Sequence, residues 1–393
     1  MKTYHLLPVL LLCILLLARC TREEADTSPV ENFTDEALNI SYTYPAVGNK
    51  QLQNTGITTA GEWNDLANWH LWTPQLKKGS GRLVQEKWNF ILQNRFTLIL
   101  TDSLNKAIPD ARIYLETSQG TLLDESRTDN TGLCYLFPAT STKSEDLRLK
   151  IVYADQVFYI GDLKPLYGLI EKQLNIQRKV SSQLDILFVA NTSSAMADEL
   201  KYLQTALKDI LSKVKNQSAP ELGISIGSVL YGNYSSTSFM HSFPLTSHTN
   251  QVLSPITGQA SITKADSLEA IGLALEEAVY RQNWSKEATS RIVFLILDTP
   301  LHSTPAIINR IIRVSREAAR QGIRIIPIVT GSMNISGELL MRSLAIRTNG
   351  TYIFFTRNLE NAISNPVSTI GTYTDEPLNN LILRLLVKYS KLK

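Results

Sequence analysis

The chain of 393 residues lacks most of the features that mark specialised classes. It has three cysteines, Cys13, Cys20 and Cys134, too few for a disulfide framework. Its 19 glycines and 15 prolines fall far short of a collagen-like or low-complexity composition. Charge of one sign is scarce as well: 39 Lys and Arg stand against 36 Asp and Glu, a formal +3, and no basic run occurs. Phosphate binding wants a clustered basic surface, so no nucleic-acid partner is expected. A hydrophobic share of 44% excludes a disordered chain, and the length suits about two to three domains. Catalytic signatures are missing too. There is no Walker loop, Gly-x-Gly-x-x-Gly or His-Glu-x-x-His. The five histidines are scattered, and His241 and His248 stand at no metal-ligand spacing. No enzyme is expected.

Long hydrophobic runs are also absent. The apolar run at residues 6–17 follows Lys2, is broken by Pro8 and Cys13, and closes on Leu17-Ala18-Arg19-Cys20. It is too short for a bilayer core of about 30 Å and reads as a signal peptide over residues 1–19. The ending resembles the lipobox of bacterial lipoproteins, with Arg19 where a small residue is usual. That resemblance implies a diacylglycerol on Cys20 and cleavage in front of it; a plain secretory signal or an uncleaved anchor is the alternative. Cleavage removes Lys2 and Arg19, which brings the charge to about +1. Thr21 favours, by the same resemblance, the outer membrane. The stretch Arg22-Glu23-Glu24-Ala25-Asp26 is similar to surface-export signals of Bacteroides-group lipoproteins. The expected location is therefore the bacterial cell envelope, as an outer-membrane lipoprotein facing either the surface or the periplasm.

Residues 20–56 are rich in Thr, Asn, Glu, Asp, Ser and Pro without apolar period and read as a tether. Residues 57–92 hold Trp63, Trp69, Trp72 and Trp88, four of the five tryptophans. Clustered indoles suit a carbohydrate or peptide platform, which makes Trp63, Trp69 and Trp72 candidate partner contacts. Burial at a seam between domains is the other reading. Residues 93–180 carry short β-rich runs separated by turn chemistry such as Ile108-Pro109-Asp110 and Asp129-Asn130-Thr131-Gly132, the pattern of a small β-sandwich. The runs 107–113 and 128–133 resemble a carboxypeptidase regulatory-like or prealbumin-like domain, which implies a non-catalytic module. Cys134 lies in one of its strands as a small buried hydrophobe.

From residue 183 strands and helices alternate. Runs 184–190 and 291–297 are nearly continuously apolar, the type buried on both faces of a parallel sheet. Helical spacing of apolar residues recurs between them. This predicts a doubly wound α/β domain over residues 183–357, in which ligands sit beyond the carboxyl ends of the strands. Asp185 reads as a solvated strand-end residue. Residues 358–393 end in an amphipathic helix that is expected to pack on the sandwich or on the Trp-rich segment.

The loops after those two strands are Asn191-Thr192-Ser193-Ser194-Ala195-Met196 and Asp298-Thr299-Pro300-Leu301-His302. With the run 223–234, which begins in the predicted strand 222–230, and Ala265-Asp266-Ser267-Leu268-Glu269-Ala270, they make residues 184–356 resemble a von Willebrand factor A domain. The resemblance implies a metal-ion-dependent adhesion site in which an Asp-x-Ser-x-Ser motif and further loops hold a divalent cation, usually Mg²⁺, and a partner's acid completes the shell. Hard cations suit such oxygen donors. The match assigns the positions to Asn191, Ser193, Asp266 and Asp298. Asn191 stands in for the leading Asp and Ala195 for the second Ser, and Asn233 falls where relatives often carry an acid. Weak or absent metal binding is expected. The alternative role for Ser193 and Asp298 is a turn or helix cap. The function expected is non-enzymatic binding or adhesion to a protein or envelope macromolecule through that face. A structural envelope module docking through the Trp-rich segment and the sandwich is the second reading.

Overall fold

Apolar strands that pair far apart in the sequence set the architecture. The computed structural model describes residues 58–77, 81–82, 90, 92–138, 147–161, 163, 169–192, 197–218, 221–232, 239–248, 268–297, 304–330, 333, 335–356, 371 and 373–393. In chain order the elements are β1 (Thr59–Trp63), α1 (Trp69–Gln75), β2 (Phe96–Thr101), β3 (Arg112–Thr117), β4 (Leu122–Arg127), β5 (Leu133–Leu136), β6 (Leu147–Tyr153), β7 (Gln156–Ile160) and β8 (Leu169–Gln173). They continue as β9 (Gln183–Asn191), α2 (Ala197–Gln217), β10 (Gly223–Tyr231), β11 (Met240–Thr246), α3 (Leu268–Tyr280), β12 (Ser290–Leu297) and α4 (Pro305–Gln321). The last are β13 (Ile323–Val329), α5 (Ile335–Arg347), β14 (Tyr352–Phe355), β15 (Asp375–Pro377) and α6 (Leu378–Ser390).

One eight-stranded sheet has the order β11-β10-β9-β12-β13-β14-β1-β15. Its centre, β10 to β14, is parallel, and β11 and β1 run antiparallel. Every residue of β12 is buried, as an apolar run in a doubly covered sheet requires. Alternate residues feed two cores. Leu187, Val189, Val293 and Leu295 meet α3, α4 and α5 on one face, whereas Ile186, Phe188, Ile292 and Phe294 meet α2 and α6 on the other. Helix α4 illustrates how the sequence bounds an element. Thr304 caps its start by accepting from the Ile307 N–H at 3.4 Å, Pro305 opens it, and Gly322 ends it in a left-handed conformation (φ 69°).

The Trp-rich segment and the C-terminal segment both join this sheet. Strand β1 pairs with β14, and β15 pairs with β1. Helix α6 buries Leu378, Leu381, Ile382, Leu385, Leu386 and Tyr389, each stabilised by roughly 1.5–3 kcal/mol relative to exposure. It therefore packs chiefly on the large sheet and α2, and only its last turn meets the region of β2 to β8. That region forms two small sheets, β5-β2-β8 and β4-β3-β6-β7, whose inward residues Leu98, Leu100, Ile113, Leu115, Cys134 and Ile151 share one core.

Aspartates of the small sheets bolt them to the amino ends of the large sheet's strands. Asp110 accepts from Arg127 at 2.9 Å and from both terminal nitrogens of Arg291, at the start of β12, at 2.8 and 3.0 Å. Asp124 pairs with Arg347 at the end of α5, its Oδ2 taking Nη1 at 2.6 Å. Asp129 takes Arg324 at 3.2 Å and Asn349 at 2.9 Å. The other oxygen of Asp129 accepts from Thr131 N (2.8 Å) and Leu133 N (3.1 Å), which closes the 129–133 turn. Gly132 sits there at φ +73°, with the Leu100 carbonyl where a Cβ would fall. Asn130 Nδ2 reaches out of this turn to the carbonyls of Lys388 and Lys391, at 3.0 and 2.7 Å, and caps the end of α6.

Candidate functional site

The order of the large sheet locates the crevice predicted by its winding. Strand β9 feeds α2 on one face, and its neighbour β12 is followed by α4 on the opposite face. The connections therefore diverge at the carboxyl ends of β9 and β12, which is where ligands bind in doubly wound sheets. Asn191 closes β9 there, beside Tyr231 of β10, and is buried. The next residue, Thr192, donates from its amide (2.8 Å) and its hydroxyl (3.1 Å) to the Tyr231 carbonyl. Ser193, Asp266 and Asp298 lie outside the described residues, as do Ala195 and Asn233.

What is described of the site does not by itself fit a hard cation. Asn191 offers a neutral amide, and the Thr192 hydroxyl is turned to a backbone carbonyl. Among the described residues no three His, Cys, Asp or Glu side chains gather as a metal site. Cys20 also lies outside the described residues. No helix among the described residues is long and apolar enough to cross a membrane.

Trp63 and Trp72 are placed by packing. Trp63 is 5% and Trp72 is 1% exposed, which corrects the reading of these two as partner contacts. Both indoles fill the core that α5 covers, Trp63 carried inward by β1, a strand of the sheet, and Trp72 by α1. Trp69 is half-buried, with the Arg95 guanidinium 4.5 Å above its ring and Phe137 6.0 Å away. Asp185 is a second correction. It is fully buried and accepts from Ser285 N (2.7 Å), Ser285 Oγ (3.0 Å) and Gln183 Nε2 (2.8 Å). A carboxylate inside an apolar strand is tolerated because donors from a loop about one hundred residues later saturate it.

The same segment brings a buried ion cluster that the sequence did not announce. Arg342 of α5 is fully buried and lies 5.0 Å from the Trp72 ring centroid. It donates to Asp65 at 2.9 and 2.6 Å and to Glu338 at 3.2 Å. Burial alone lowers its pKa, yet Asp65 and Glu338 outweigh it, raise the pKa above the ordinary value and hold the guanidinium charged. A Trp-x-Asp at the end of β1 and an Arg four residues after a Glu on α5 are the only sequence traces of this cluster.

Residues 185–368, a little under half of the chain, match the von Willebrand factor type A domain. The architecture of that part is the α/β fold of this family, a mostly parallel central sheet with flanking helices. Such domains are in general protein-interaction modules and not enzymes. Among solved structures, proximal thread matrix protein 1 from the mussel byssus, with a zinc-occupied MIDAS motif, is 19% identical at a TM-score of 0.32, covering 44% of this chain and 41% of that chain. The likeness thus spans about two fifths of the mussel protein's length. The conserved hypothetical protein BatB from Bacteroides thetaiotaomicron is 13% identical at a TM-score of 0.32, covering 44% of this chain and 89% of that chain. No curated protein matches the chain.

Proposed function

We propose that this chain is a non-enzymatic binding protein of the bacterial cell envelope, carried on an outer membrane by a lipid on Cys20, that captures a protein or other envelope macromolecule at the carboxyl ends of β9 and β12. The observation that supports it most is the divergence of the connections after β9 and β12, at the end of the sheet where this fold takes ligands. By the family resemblance, Asn191, Ser193, Asp266 and Asp298 are the residues assigned to that end. With a neutral amide in first place and Ala195 offering no donor, recognition there relies on hydrogen bonding and shape, and Mg²⁺ binds weakly or not at all. The rival reading, docking through the Trp-rich segment, is disfavoured by the burial of Trp63 and Trp72.

Crosslinking in intact envelopes tests the reading: the captured partner is expected to be lost in Ser193→Ala plus Asp298→Ala and kept in Trp69→Ala. The opposite pattern overturns it. Calorimetry with Mg²⁺ and Mn²⁺ is expected to give no micromolar binding; such binding, abolished in Asp298→Ala, reverses the metal statement. Labelled palmitate is expected on the chain and absent from Cys20→Ala.

A further inference from the structure

The seam between the small sheets and the large one contains a cleft of about 280 Å³, at the low end of ligand-pocket sizes. It opens at the amino ends of the parallel strands, remote from Asn191, so it stands independently of the function proposed above. Arg112 and Val152 form one wall, the 154–155 turn a second, and the 286–288 loop ahead of β12 the third. Ala154 and Asp155 hold that turn with φ of 49° and 62°, a two-residue hairpin geometry.

The charges of the cleft divide into spent and unspent groups. The Asp110 carboxylate is consumed by Arg127 and Arg291. Lys179 reaches Glu287 only at 3.8 Å, with both side chains exposed, a pair worth little in water. Arg112 and Lys286 have no carboxylate within salt-bridge distance among the described residues. Three cations thus face the opening, with Asp155 and Glu287 as the remaining carboxylates. A plain polyanion would be repelled by those two acids. A ligand with one acid group and several hydroxyls uses everything on offer: its anion takes Arg112 and Lys286, its hydroxyls donate to Asp155 and Glu287, and its C–H face lies on Val152.

We propose that this cleft binds an acidic sugar unit, a uronic acid or a sugar phosphate of an anionic glycan. The full folded chain is titrated by nuclear magnetic resonance with galacturonate, glucose 6-phosphate, galactose and inorganic phosphate. Saturable shifts at the cleft are expected for at least one of the two acidic sugars, with galactose and inorganic phosphate at least about tenfold weaker. Response to galacturonate alone assigns a carboxylate ligand, and response to glucose 6-phosphate alone a phosphorylated one. Arg112→Ala and Lys286→Ala are each expected to weaken the bound sugar about tenfold, and Asp155→Asn to weaken it while inorganic phosphate, relieved of that repulsion, binds no more weakly than to the parent. All three positions are exposed, so an unchanged melting temperature is expected and checks that the variants fold. Equal binding of inorganic phosphate, no saturable response to either acidic sugar, or affinity indifferent to Arg112→Ala and Lys286→Ala overturns the proposal.

Discussion

The guanidinium of Arg342, on α5, grips the carboxylate of Asp65, just past β1, with two hydrogen bonds of 2.9 and 2.6 Å across 277 positions of sequence. The same carboxylate accepts the Trp63 indole N–H at 3.0 Å. Strand β1 is thereby locked to the helix that covers it.

Breaking this pair on one side leaves an uncompensated buried charge. Asp65→Ala and Arg342→Met are each expected to cost about 3–5 kcal/mol of unfolding free energy. The double substitution is expected to cost much less than the sum of the singles. Denaturant titration of the three variants measures this, and strict additivity would count against the coupling.

Residues 185–368 taken alone lose β1 and β15 from the edge of β14 and leave the sheet face under α6 bare. Cooperative thermal unfolding is expected for residues 58–393 and absent for 185–368. A sharp transition in the shorter piece would show that the flanking segments are dispensable.

Asn130→Ala removes the donor that serves two carbonyls at the end of α6. The expected loss is about 1–3 kcal/mol, together with faster amide hydrogen exchange confined to the last turn of α6 and the 129–133 turn. Uniform acceleration across the chain would point instead to a general loss of stability.

Cys134 is buried, and burial, foremost among several influences, raises its thiol above the ordinary range. Folded protein at pH 8 is expected to resist iodoacetamide for as long as it stays folded, and to react fully in denaturant. Rapid labelling under native conditions contradicts this packing.

The Asp102 carboxyl is held below its ordinary value. Desolvation acts in the opposite direction but is outweighed by the N–H groups of Lys106, Leu104 and Arg178, the first two at 2.9 and 2.8 Å. A depressed folded value means that its stabilisation is complete above the unfolded value of about 3.9 and vanishes as pH falls through the folded one. Asp102→Asn is therefore expected to melt below the parent at pH 7, with the gap closing below about pH 4. A gap that persists at pH 2 refutes the assignment.

Much of the large sheet was legible in the residues themselves. The apolar runs of β9, β12 and β13 and the helical spacing in α4 are local patterns, and local patterns survive without knowledge of partners. Strands β4 and β8 were not visible. The inward residues of β4 include Asp124 and Ser126, so its alternation is polar, and β8 is an edge strand with an exposed Leu169. The candidate crevice followed from strand type and loop position.

By itself the sequence determined the α/β class, the bounds of its central strands to within a residue or two, and the amphipathic face of α6. Only the tertiary structure decided that Trp63 and Trp72 are core, that Asp185 is buried, and that Asp110 and Asp129 face arginines of the large sheet and Asp124 one of α5. The physical reason is range. Periodicity and capping are set by neighbours a few positions away, whereas the burial of an indole or a carboxylate depends on which distant donor or strand arrives to cover it.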